Sequence, residues 1–181
     1  EPAMSREAAV KAMLTGIEAA KAIKECGYQV FGVGEMGIGN TTTSSAIAAV
    51  LLDKPVEEVT GKGAGLTREG LLRKIKAIKE AIKVNQPDKT DPIDVLAKVG
   101  GLDIAGLVGA YLGGAVYRVP IIIDGFICAV AALVASKITT VVLDYIIPSH
   151  VSKEPAGRML LDELRLEPYL TCDILNFYLF L

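Results

Sequence analysis

The sequence predicts an α/β fold, a parallel sheet flanked by helices, and two observations carry that reading. Short apolar runs at 28–33, 119–123 and 141–147 alternate with longer segments of helical spacing. Two of the runs stop at glycine or acid (Gly34-Glu35, Asp124-Gly125) and the third at Pro148-Ser149-His150. Parallel strands gather such ends along one side of the sheet, where open α/β folds take their ligands.

The elements follow in order. Residues 5–26 read as a helix with Ser5 as N-cap and Cys26-Gly27 closing it. The run 28–33 is the first strand, the glycine segment 34–43 a loop, and 44–52 a second helix of small residues. Residues 53–60 are polar and turn-like, and Gly61-Lys62-Gly63-Ala64-Gly65-Leu66 forms a second glycine loop. Thr67 caps an amphipathic helix to about Val84, and Asp91-Pro92 starts another after the loop 85–92. From 100 to 115 glycines and alanines recur at helical spacing, which predicts close packing or a nearby ligand, because each glycine weakens a helix. The β-branched run 119–123 reads as a wholly buried strand, 126–136 as a helix and 141–147 as a third strand.

Composition narrows the class. The 181 residues suffice for one domain with a real core. A net charge of -2 argues against a nucleic-acid partner, which needs clustered Lys and Arg. The one basic run, 73–83, carries Ile75, Ile78 and Ile82 at helical spacing and reads as the solvated face of a helix. Cys26, Cys128 and Cys172 are odd in number and far apart, which reads as reduced thiols of a cytoplasmic protein. The uncharged runs 104–117 and 125–136 fall short of the roughly 18 to 20 residues of a membrane span, so none is expected. No cluster of metal-ligand type stands out either.

The segment Gly34-Glu35-Met36-Gly37-Ile38-Gly39-Asn40-Thr41-Thr42-Thr43 concentrates the chemistry. Strand, glycine loop and helix start together present backbone N–H donors to an anionic group. The pattern is one residue from a P-loop, with Asn40 where the phosphate-binding lysine would stand, which turns the reading away from nucleoside triphosphates. Gly37, Gly39, Asn40 and Thr41 remain able to cradle one phosphate, with Glu35 beside them. Lys74 on the following helix is either a surface lysine or a further charge for that phosphate. His150, the single histidine, lacks the nucleophile elbow of a hydrolase and reads as an ordinary hydrogen-bonding residue.

Taken together, these pieces resemble the nicotinate-nucleotide–dimethylbenzimidazole phosphoribosyltransferase family of cobalamin biosynthesis. They are EPAMSREAA, GEMGIGNTTTSSA, the GxGxGL loop with a lysine on its helix, DGFI at 124–127 and SHVSKEP at 149–155, in that order. The resemblance covers residues 1 to about 170. It implies a Rossmann-like parallel sheet, usually in a homodimer, with no required cofactor or metal. It further implies transfer of 5-phosphoribosyl from nicotinate mononucleotide to 5,6-dimethylbenzimidazole, releasing nicotinate. Carried onto this chain, Gly37, Gly39, Asn40 and Thr41 hold the phosphate or nearby ribose, assisted by Lys74. Gly63 and Ala64 border the nicotinate or phosphoribosyl site, and Glu35, Asp124, Gly125 and Ser152 line the ribose and base region.

The resemblance also places a GEG-containing segment with the general base near 174–181, its Glu close to position 178, where this chain has Tyr178 in Ile174-Leu175-Asn176-Phe177-Tyr178-Leu179-Phe180-Leu181. The expectation is therefore a piece of a longer enzyme, without that base and without the family's N-terminal part. Glu35 is then the one catalytic candidate, as a surrogate base. A non-catalytic nucleotide-binding or assembly module is the alternative.

Overall fold

The computed structural model describes residues 1–63 and 65–170 of the chain. The expectations for Ala64, Cys172 and the 174–181 segment lie outside the described residues.

Helix α1 (Arg6–Glu25) starts where Ser5 Oγ accepts from the Ala8 N–H at 3.1 Å, the cap expected of that serine. Strand β1 (Phe31–Val33) is shorter than the apolar run that announced it. Helix α2 (Thr41–Leu51) begins three residues earlier than expected, so its threonines form the first turn rather than the loop, and Thr43 Oγ1 donates back to the Asn40 carbonyl. The stretch expected to be turn-like holds the short helix α3 (Val56–Val59), which buries Val56 and Val59. Helix α4 (Arg68–Asn85) is capped by Thr67, whose Oγ1 accepts from the Gly70 N–H. Helix α5 (Pro92–Val99) is capped by Asp91.

Helix α6 (Leu102–Tyr117) explains its own small residues. It packs on α1 so closely that a Cβ on Gly109 would run into the Met13 carbonyl, and one on Gly113 would stand 2.6 Å from Ala20 Cβ. Close packing, not a ligand, is what these two glycines serve.

Strand β2 (Ile121–Ile123) and helix α7 (Phe126–Ile138) follow. The run expected to be the third strand divides. Residues Thr140–Tyr145 form a 3-10 turn capped by Thr139, and only β3 (Ile146–Pro148) is extended. The turn tucks Val142 into the core while Val141 faces solvent. Helix α8 (Gly157–Leu164), which the sequence reading did not single out, packs against α7.

The three strands are parallel in the order β1-β2-β3, with Phe31 beside Ile121 and Ile121 beside Ile146. Beyond β3, Tyr169 and Leu170 donate to the Pro148 and Ser149 carbonyls, so the parallel pairing continues past the named strands. One expectation needs correction: β2 is not wholly buried. Ile121 and Ile123 are closed off, but Ile122 is 38% exposed, because the described residues cover one face of the strand more fully than the other. The core lies between α2, α6 and α7, with ten consecutive residues of α7, 126–135, all buried. No helix among the described residues is long and apolar enough to cross a membrane.

Candidate active site

The parallel register brings the carboxyl ends of the strands to one side, and a cavity of about 610 Å³ opens there. Its wall combines the loop after β1, the second glycine loop, the β2–α7 junction and the loop before α8. Of the sequence-derived site residues, Glu35, Gly37, Thr41, Gly63, Asp124, Gly125 and Ser152 line it. Gly39, Asn40 and Lys74 do not.

The three that do not line the cavity have defined places. Gly39 turns the loop with φ +87. Asn40 directs its amide away, Nδ2 donating to Asp103 Oδ2 at 2.6 Å. Lys74 is 7% exposed and sits behind the wall, its Nζ donating to Thr41 Oγ1 at 2.9 Å and to the Gly61 carbonyl at 3.1 Å. Burial pushes its ammonium pKa down, and the charge of Glu154 opposes that push.

The first glycine loop is held by its own acid. Glu35 Oε2 accepts from the Gly37 N–H at 2.7 Å, and Gly37 has φ +82, a conformation that favours glycine. The second loop meets the first turn of α2, just after the first loop: a Cβ on Gly63 would stand 2.8 Å from Thr41 Oγ1. Residues of both segments thus form adjoining parts of one wall.

Beside the start of the first loop, Asp124 follows β2 and precedes Gly125, the N-cap of α7; a Cβ on Gly34 would stand 3.7 Å from Asp124 Oδ2. It is half-buried, and burial raises its carboxyl pKa while His150 works the other way. Ser149 Oγ donates to the Ile123 carbonyl at 2.5 Å and lies 2.9 Å from His150 Nδ1. His150 is buried and hydrogen-bonded, the ordinary role read from the sequence. Cys128, also in the wall, has its Sγ 3.4 Å from the Val33 carbonyl oxygen, and its thiol is pushed up to about 12 by burial. That excludes it as a thiolate nucleophile near neutral pH. Among the described residues, no three His, Cys, Asp or Glu side chains converge as a metal site.

The sequence reading missed Glu154, Thr60, Lys62 and Lys153 as wall residues. Glu154 lay within the quoted SHVSKEP motif, but nothing local to it signals its partner 91 residues away.

A family profile described as phosphoribosyltransferase matches residues 1–175. The chain belongs to that family. Its relatives include the nicotinate-nucleotide–dimethylbenzimidazole phosphoribosyltransferase of Clostridium acetobutylicum, 57% identical over 93% of this chain and 48% of the relative. The protein of the same name from Ruminiclostridium cellulolyticum is 54% identical over 96% of this chain and 49% of its own length. The crystal structure of CobT from Thermus thermophilus superposes with a TM-score of 0.90 at 39% identity, covering 96% of this chain and 52% of that one. The fold and the family expected from the motifs are thus both met. The chain spans about half the length of the curated relatives it matches.

Proposed function

We propose that this chain supplies the phosphoribosyl side of the reaction for which its relatives are named. It binds nicotinate mononucleotide and aligns its anomeric carbon for attack by 5,6-dimethylbenzimidazole. The bond from C1′ to the nicotinate nitrogen breaks, a bond from C1′ to a benzimidazole nitrogen forms, and the proton on the other azole nitrogen leaves to a base. The products are α-ribazole 5′-phosphate and nicotinate. The observation that carries this reading is the contact of the second glycine loop at Gly63 with the start of α2 at Thr41, with carboxylates Glu35 and Asp124 lining the same cavity.

The physical chemistry divides the labour. Displacement at an anomeric carbon builds positive character on the sugar, so alignment and nearby negative charge are what a protein contributes. Glu35 and Asp124 both offer that charge. Glu35 already accepts from the Gly37 N–H, which makes it a holder of its own loop. Asp124 accepts no hydrogen bond from a described side chain or loop amide and has a raised carboxyl pKa, which suits it better as a proton acceptor. The homodimer implied by the resemblance belongs to the same reading, with Val10 and Leu14 exposed on α1 as candidate contacts.

Calorimetry with nicotinate mononucleotide, followed by chromatography after adding dimethylbenzimidazole, tests the proposal. Binding and α-ribazole 5′-phosphate formation are expected for the enzyme. Binding without product identifies a nucleotide-binding module instead, and no binding overturns the proposal. Where product forms, its loss in Asp124→Asn and persistence in Glu35→Gln assigns the proton to Asp124.

A further inference from the structure

Glu154, on the loop between β3 and α8, is part of the cavity wall and reaches the second glycine loop. Its Oε1 accepts from the Gly63 N–H at 3.1 Å. Its Oε2 is buried without a hydrogen-bond partner and is seated against Gly61, where an added Cβ would collide with it. From the other side, Lys74 Nζ donates to the Gly61 carbonyl and to Thr41 Oγ1. The segment from Gly61 to Gly63 is therefore gripped between a carboxylate and an ammonium.

This arrangement asks for an explanation. A carboxylate in the wall of a cavity that takes an anion repels its ligand, and a shielded oxygen without a partner is unfavourable on its own. Lys74 offsets the charge through the loop. What the carboxylate adds is a charge-assisted hydrogen bond to a backbone amide, roughly twice as strong as a neutral one. Because the Gly63 N–H is engaged there, it is not a donor for the ligand.

We infer that Glu154 is a positioning residue that fixes the second glycine loop against Thr41, setting the gap in which the two loops receive the anionic group of a phosphoribosyl nucleotide. The identity of that ligand rests on the proposed function, whereas the hold on the loop rests on geometry alone. Glu154 acts through the loop and not by touching the ligand, since its free oxygen is closed off by Gly61.

The two layers separate by experiment. The amide resonance of Gly63 in the ¹⁵N-labelled 181-residue chain is recorded at neutral pH in the native and variant proteins, alongside calorimetry with nicotinate mononucleotide. Glu154→Gln keeps an acceptor oxygen, so its Gly63 amide stays near the native position. Glu154→Ala displaces the resonance and speeds its hydrogen exchange. Nucleotide affinity falls roughly tenfold in Glu154→Ala and is largely restored in Glu154→Gln. Gly61→Ala, at a position whose φ accepts alanine, pushes the carboxylate away and reproduces the loss if Glu154→Ala folds poorly.

An unchanged Gly63 amide in Glu154→Ala overturns the inference. Equal nucleotide affinity in the native, Ala and Gln proteins overturns it too. A Gly63 amide that follows Glu154 in a chain that binds no nucleotide overturns the proposed function instead, and leaves the hold on the loop standing.

Discussion

Asp124 stands half-buried at the end of β2, and burial raises its carboxyl pKa above the ordinary 3.8. A raised folded value means that the native chain holds this proton more tightly than the unfolded one, so stability falls as pH rises from about 3.8 through the raised value. Above that window the carboxylate is a standing burden on the fold. Asp124→Asn is expected to raise the melting temperature at neutral pH by about 1–2 °C, and the gain should fade as acid neutralises the native side chain. Thermal scans at several pH values check this, and a gain independent of pH would mean that desolvation is not its source. Cys128 offers a second check on burial. Its thiol is buried and pushed up to about 12, whereas Cys26 is exposed. A maleimide applied to the folded chain should label Cys26 quickly and leave Cys128 unmodified, as peptide mapping would show.

Among the elements, α6 and α1 cross where backbone meets backbone, and the glycines exist for that approach. Gly109→Ala must push Met13 and its helix outward, which is expected to destabilise the chain by about 1–3 kcal/mol in chemical denaturation. Gly106 has open space where its Cβ would be, so Gly106→Ala should be neutral or slightly stabilising. The contrast distinguishes packing from propensity, because propensity alone would make both changes favourable. A reader of the sequence could see the small-residue stripe but not which glycines were pressed. The same limit explains other differences. Ser5 and Thr67 were legible as caps, and Asp91-Pro92 as a helix start, because a cap bonds within three residues of itself. The 3-10 turn at Thr140–Tyr145 was not, because a β-branched run suits either an extended chain or a turn that buries every third side chain. Glu154 was invisible as a clamp because its partner is set by the sheet register, not by spacing along the chain.

For the whole molecule, order is graded outward from α7. Its first ten residues are all buried, and α6 packs along it, whereas Gly34, Met36, Ile38 and Gly39 of the first glycine loop and Lys62, Gly65 and Leu66 of the second are exposed. Amide hydrogen exchange should therefore be slowest in α7, through global unfolding, and faster in both glycine loops, through local opening, with the carboxylate-bonded Gly37 and Gly63 amides the slowest within them. Nicotinate mononucleotide, if it binds as proposed, acts on these two processes differently. By mass action a ligand present at a hundred times its dissociation constant stabilises the folded chain by about 2.7 kcal/mol, so the buried α7 residues 129–135, behind the cavity wall, should slow by roughly a hundredfold. The loops should slow by whatever local opening the ligand forbids, which need not match that factor. Loop protection without any slowing of α7 would show that the core opens by a path that retains the ligand. Slowing of α7 with no loop protection would place the nucleotide somewhere other than the junction of Thr41 and Gly63.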